Sequence, residues 1–461
     1  MSYSTRKLPR ACRQRRLAAC IAAIVSITTP AIALGIPVTN CNDVGPNSLR
    51  AAIANAATGD TIDLTNLPCS TITLEDFQIM IPQTNLTIEG PASGVTIAHD
   101  GNYDRVLNHQ GTGTLALEHI HVTGGDPYSA TQDVKGGCIY SKGSVAMSDS
   151  SVSNCVTDTN ALFGYAKGGG IYALGNLSLF RSTISGNAAG GHYAGEAASG
   201  GAHVGNQLLM YYSSIRNNSA IGSAISRIGG ISVYGSFYID HSTISGNSAN
   251  IIGGLLAGSN YSSGSIHAST ISGNHANDTV GGAFLGVATN ISNSTIAFNT
   301  AAIGKSGTYY FAPGLTTGNS VRTIAIDLES SIIANNTYPS NGVTIESDFS
   351  EASGGTGGVI VSGMHNLIVA SSVALPPNVV AVTSCPLLGP LRNNGGITQT
   401  HALLSHSPAI DEGSKPIPEL FDQRGSPYKR SDGRFFDFTD IGAYEVQQED
   451  VMFNAGFEGC P

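Results

Sequence analysis

The chain has 461 residues, a formal net charge of −10, only 12% charged residues, 57 glycines and no tryptophan. Length alone allows two or three ordinary domains, but a solenoid runs this long as one unit. So few charges at near-average apolar content exclude a coiled coil and a disordered acidic tail, and the absence of a basic stripe beyond the leader argues against nucleic acid.

The first segment reads as a leader. Arg6, Lys7, Arg10, Arg13, Arg15 and Arg16 precede a mostly apolar run from Leu17 to Leu34, and Ala31-Ile32-Ala33 offers a cleavage site. Residues 1–33 are therefore expected to be a signal peptide, with secretion or exposure at an outer-membrane surface. The alternative, a signal anchor, is weakened because Pro30 interrupts a run already short for a span, and no transmembrane segment is expected after cleavage. Removal of the leader takes Cys12 and Cys20 and leaves six of the eight cysteines, an even number that favours disulfides in an exported chain. The neighbouring pairs Cys41 with Cys69 and Cys138 with Cys155 come first, which leaves Cys385 with Cys460; other connectivities stay open.

Next comes "NSLRAAIANAATGD", which predicts a short capping helix near 47–57. Asn47 or Ser48 is the N-cap, Leu49 and Ile53 share a face, and Gly59 ends it. "TIDL" then opens the first strand.

From about residue 115 one phrase recurs: "RSTISGNAAG", "HSTISGNSAN" and "ASTISGNHAN" begin at Arg181, His241 and Ala268. Aligned on its isoleucine, the column reads Val122, Val152, Ile184, Ile215, Ile244, Ile271, Ile296 and Ile333, in steps of 25 to 37. Three residues later stand Gly125, Cys155, Asn187, Asn218, Asn247, Asn274, Asn299 and Asn336. A second signature ("GGCIY", "GGGIY", "GGAHV", "GGISV", "GGLLA", "GGAFL") precedes most repeats. Period-2 alternation in "NLSLF" and "GGAFLGV" predicts strands. One coil of about three short strands has nothing to bury its inward residues against, so coils must stack. The expected fold is all-β: a single-stranded right-handed parallel β-helix over 34–384, with an irregular C-terminal capping module at 385–446 that covers the open coil end and a tail at 447–461. The asparagines are expected to take left-handed corners and form a ladder, and the paired glycines to supply unusual backbone angles.

These residues carry a resemblance. "NSLRAAIANAATGDTIDL" followed by "ITLEDFQIMIPQTNLTIEGP" resembles the start of secreted β-helix proteins with a Cys-Ser-Leu-Arg-Glu-Ala motif, although here Cys41 stands apart from Ser48-Leu49-Arg50. "CPLLGPLRNNGGITQTHALLSHSPAIDEG", "DQRG" and "DIGAYE" resemble the C-terminal module of choice-of-anchor β-helix proteins. The Gly-Gly and "ISGN" phrases are similar to repeats of polymorphic outer-membrane proteins, within the pectin-lyase-like superfamily. The resemblance implies an exported, surface-associated β-helix and carries little chemistry with it.

Three residues before each column position lies a turn column expected to be exposed: Asp149, Arg181, Tyr212, His241, Ala268, Asn293 and Ser330. Its first four members are the candidate ligand-binding residues, suited to an extended glycan, and His241→Ala is expected to alter stability by less than about 0.5 kcal/mol. A binding or structural role as a monomer is favoured over catalysis, with polysaccharide or a cell-surface glycan as partner. The alternative is a calcium-dependent polysaccharide lyase or glycoside hydrolase using Asp126, Asp133, Asp149, Asp158 and Glu196 with Arg181. No catalytic residue, resident cofactor or metal set is assigned, and calcium enters only with that alternative. His119 and His121 are read as two imidazoles on one side of a strand, without a third ligand.

Overall fold

The computed structural model describes residues 35–447 except 101–102, 162–163, 192–195, 223–224, 259–261, 304, 307–308, 320, 353–356, 415–418 and 432–438. The expected leader and, beyond Gln447, the expected tail, with Cys12, Cys20 and Cys460, lie outside the described residues.

One coil shows how the repeat folds. It runs through Ile171–Ala173, Leu177–Phe180, Thr183–Ser185, Ala188–Gly191 and Glu196–Ala198. The next begins at Ala202–Val204, paired in parallel with Ile171–Ala173. Repeated along the chain, the first three strands build faces of ten, twelve and twelve described strands. All pairs along these faces are parallel, which makes the fold a parallel β-helix, in the right-handed sense that parallel crossovers take. The remaining two strands form a flange of nine- and four-stranded sheets, closed by an inner row of Ala166, Ala189, Ala220 and Ala249. Three strands per coil enclose the core; the flange is an addition that the variable repeat length makes room for.

The isoleucine column is the core of the third face. Val122, Val152, Ile184, Ile215, Ile244, Ile271, Ile296 and Ile333 are all fully buried and stack in register. On either side of each three-residue strand stands a left-handed residue. The turn column before it has φ of 46° to 48° at Arg181, Tyr212 and His241, and the position after it has φ of 55° to 65° at Gly186, Asn217 and Gly246. The chain is thus bent sharply twice per coil, and the second bend falls one residue earlier than expected. The asparagine that follows points inward instead. Asn187 Nδ2 donates to Asn218 Oδ1 at 2.9 Å, and the same bond continues through Asn247, Asn274, Asn299 and Asn336. Each Oδ1 also accepts the backbone N–H of the preceding rung, and Cys155 N–H fills that role at the ladder's start. A second ladder runs through the serine of each "STI". Ser150, Ser182, Ser213, Ser242, Ser269 and Ser294 each donate a backbone N–H to the hydroxyl of the next serine, ending at Ser331.

The paired glycines answer to space more than to angle. A Cβ on Gly200 would lie 2.2 Å from Ser219 O, and one on Gly201 would lie 2.6 Å from Gly230 O, though neither residue has positive φ. Only the leading glycine in "GGCIY" and "GGGIY", Gly136 and Gly168, is left-handed. Any side chain in this row would push adjacent coils apart.

At the N-terminal end the helix Leu49–Asn55 seals the stack, with Ser48 as N-cap and Leu49 and Ile53 fully buried. Cys41 is bonded to Cys69, and Cys138 to Cys155 with Cα atoms 5.5 Å apart. Cys385 is disulfide-bonded as well. At the other end Val373, Leu375, Val379 and Val380 close over the core. The segment Leu388 to Tyr444, expected to cap that end, instead packs along the flank of the third face, where Leu388, Leu403, Ala409, Ile441 and Tyr444 share a second core with Ala297, Ile332 and Ala334.

The asparagine ladder ends on a carboxyl. Asp348 Oδ1 accepts from Asn336 Nδ2 at 2.8 Å and Oδ2 from Ala370 N–H at 2.9 Å, while burial pushes its pKa up to about 7. A raised carboxyl makes the folded state bind the extra proton. Its stabilising contribution is therefore complete below the unfolded value of 3.8 and is lost as pH rises through about 7. Thermal melts are expected to show stability falling across that window, by roughly 1.4 kcal/mol per pH unit at most for this one group. Asp348→Asn should flatten the slope, and an unchanged slope in that variant would assign it elsewhere.

Candidate functional site

The turn column does not form one exposed stripe. At its start it is open: Arg181 Nη2 lies 2.6 Å from Asp149 Oδ2, and the hydrogen bond from Arg181 holds that carboxyl below the ordinary aspartate range. The guanidinium also lies over the Phe180 ring, at 4.9 Å. Exposure then ends. Tyr212 is half-buried, its ring 4.6 Å from that of His241, and His241, Ala268, Asn293 and Ser330 are buried. The cause is the C-terminal segment, which lies over these corners: Thr398 Oγ1 donates to His241 O, and Gln423 Nε2 to Ser242 O. His241 is only 6% exposed, which removes the premise of the small effect, and His241→Ala is now expected to cost more than an exposed corner would. Periodicity identifies which residues share a corner; it carries no trace of a distant segment folding back over them.

The carboxylates of the lyase alternative are dispersed. Asp149 is at the open corner, Asp133 pairs with Lys135 at 3.5 Å on the flange, and Asp158 is in the flange strand Val156–Thr159. Asp126 follows the third-face strand Ile120–Thr123, with its pKa raised by burial. The Glu196 side chain lies outside the described residues. The histidine pair also separates: His119 is a left-handed corner residue, and His121 lies within Ile120–Thr123 with Nδ1 2.9 Å from Ser151 Oγ.

Two further features lie on these faces. The outward positions of the Gly-Gly strands carry a ring stack, with Tyr140 and Tyr172 at 5.6 Å, Tyr172 and His203 at 4.9 Å, and His203 and Tyr234 at 5.2 Å. The aromatic letters were visible in "GGCIY", "GGGIY" and "GGAHV". Interplanar angles of 10° and 5° mean that the first three rings cover one another's faces, so the stack mainly stabilises the coil-to-coil contact.

The second feature is a groove of about 690 Å3 where the C-terminal segment leaves the third face. One wall is the row of second bends, with Arg216, Asn217, Ser245 and Phe298; the other is Leu388, Pro390, Leu391 and Gln399. Arg216 and Asn217 are exposed, and no hydrogen bond or ion pair of the Arg216 side chain is found among the described residues. At the base, His401 Nδ1 donates to Gly389 O at 2.7 Å, so its Nε2 accepts from Ser272 Oγ at 2.7 Å. Burial lowers the His401 pKa to about 4, so the base of the groove carries no charge at neutral pH. Its ring lies 4.9 Å from Phe298. The groove joins a guanidinium, two side-chain amides and an apolar wall, the chemistry that holds a polar ring bearing an anionic group. No sequence signal marked Arg216, because its column holds serine or alanine in neighbouring coils and its partners come from some 180 residues downstream.

No helix among the described residues is long and apolar enough to cross a membrane. No family model and no curated protein matches the chain. Among solved structures, the chain is similar to the pectate lyase Pel9A, at 13% identity and a TM-score of 0.44, over 90% of this chain and 98% of that one.

Proposed function

We propose that this is an extracellular β-helix protein that binds carbohydrate, and that the groove beneath Arg216 is its binding site. The observation that carries the reading is the exposed guanidinium of Arg216 set beside Asn217 and Gln399 on the rim of a cavity with an apolar wall. Sugar rings present hydroxyls that pair with planar amides and C–H faces that rest on apolar surface; the guanidinium selects glycans bearing a carboxylate or sulfate. Export fits the leader and the disulfides, which persist in oxidising compartments. The surface association that the choice-of-anchor and outer-membrane-repeat resemblance implies fits the same role.

Calorimetry against neutral and acidic oligosaccharides tests it. Acidic oligosaccharides are expected to bind, and Arg216→Ala to weaken them by roughly ten- to a hundredfold, the value of one charge-assisted hydrogen-bond pair, without altering the melting temperature. Binding that survives Arg216→Ala would move the site away from the groove. Calcium-dependent release of unsaturated ends would favour the lyase alternative instead.

A further inference from the structure

Asp240 and His267 are register partners at the ends of second-face strands in adjacent coils. The parallel pairing fixes their backbones one strand spacing apart. Glu419 reaches over them from the C-terminal segment. Its Oε2 lies 2.7 Å from His267 Nε2 and its Oε1 lies 3.3 Å from His241 Nε2. His241 Nδ1 is 2.8 Å from Asp240 Oδ1. On the far side of His267, Nδ1 is 2.7 Å from Ser292 Oγ, its own register partner in the next coil. One ligand atom from each of Asp240, His267 and Glu419 falls within 4.8 Å of the others.

We propose that Asp240, His267 and Glu419 form a binding site for a divalent metal ion of the zinc class, which clasps the C-terminal segment to the coils. Zinc bonds of about 2.0–2.2 Å to nitrogen and oxygen put tetrahedral donors about 3.3–3.6 Å apart, so the His267–Glu419 contact of 2.7 Å opens slightly while the longer separations, up to 4.8 Å, close around the ion. The imidazole donor selects zinc over calcium, which takes oxygen ligands. Ser292 supplies the outer contact that metal-binding histidines use: in the metal-free cluster His267 Nε2 donates to Glu419, and on binding the ion displaces that proton while Ser292 accepts from Nδ1–H, which leaves the Nε2 lone pair for the ion. His241 fixes the orientation of both carboxylates. Side-chain exposures of 15% for Asp240 and 10% for Glu419 leave the ion a way in. The site needs no glycan and is independent of the groove.

The test uses the full mature chain, stripped with a chelator and titrated with zinc chloride in a calorimeter, with thermal melts in parallel. One zinc ion per chain is expected, with a higher melting temperature on binding and no such response to calcium. Glu419→Gln and His267→Gln should each weaken zinc binding by about a hundredfold or more, while His275→Gln, at an exposed flange residue, should leave it unchanged. Glu419→Gln keeps an oxygen and an amide in place of the carboxylate, and circular dichroism establishes that the variant is folded. Absence of saturable zinc binding in the folded wild-type chain would overturn the proposal. So would zinc binding that both variants retain, which would make the cluster an ionic clasp alone.

Discussion

Ile184→Asp is expected to disrupt the coil stack, with a loss of several kcal/mol, whereas Ser185→Asp on the same strand should change stability by less than about 0.5 kcal/mol. Ile184 is fully buried between Val152 and Ile215, with nothing polar to compensate a carboxylate. Ser185 is half-exposed and alternates to the outside. This strand is a cleaner test than the equivalent at Ile244, whose outward neighbours Thr243 and Ser245 are themselves only 1% and 5% exposed under the C-terminal segment. Each coil touches only its neighbours, so one defective rung interrupts the coupling on both sides and lowers the cooperativity of unfolding. Calorimetric melts of the two variants decide the point: similar losses would mean that the facing assigned to this strand is incorrect.

The difference between those two strands also shows what the sequence can carry. A stacked coil repeats its constraints every 25 to 37 residues, so each requirement appears many times over, and alignment exposes it. The inward isoleucines, the ladder asparagines and the pairing of Cys138 with Cys155 were all legible for that reason. The serine ladder was equally regular, but serine is so common at corners that nothing distinguished a bonding column from a solvated one. The role of the paired glycines was misread because permissive backbone angles and close backbone approach leave the same letter. The groove and the Asp240–His267–Glu419 cluster were not legible at all. Each is built where a non-repeating segment meets the repeat, by contacts such as Thr243 with Gln399 across 156 residues, and no periodicity encodes such a pairing.

How firmly that segment is held can be read from Arg430, the largest fully buried side chain described. Its Nη1 donates to Gly442 O at 2.8 Å, and its Nη2 donates to Asp440 O at 2.8 Å and to Asn293 Oδ1 at 3.0 Å. Asn293 belongs to a helix corner, so this one guanidinium braces the segment internally and ties it to the coils. The nearest carboxylate is not a full ionic partner. Glu445 Oε2 is 3.7 Å from Nε, and burial pushes its pKa up to about 9 against the opposing pull of Arg430, so Glu445 is mostly protonated at neutral pH. Carbonyl dipoles in a fixed fork therefore do the holding, a geometry that lysine does not reproduce. Arg430→Met keeps most of the volume but leaves three acceptors unpaired, at about 1–3 kcal/mol each. Such a loss exceeds what a small irregular segment has to spare, so the variant is expected to undock residues 388–444 while the β-helix stays folded. Hydrogen exchange should then rise in the segment, at amides such as Gly442 and Ala443 that donate to Ser330 O and Thr295 Oγ1, with the Ile184 to Ile333 column still protected. Arg430→Lys should behave like Arg430→Met. A single cooperative transition within about 1 kcal/mol of the wild type in both variants would show that the second apolar core alone holds the segment down.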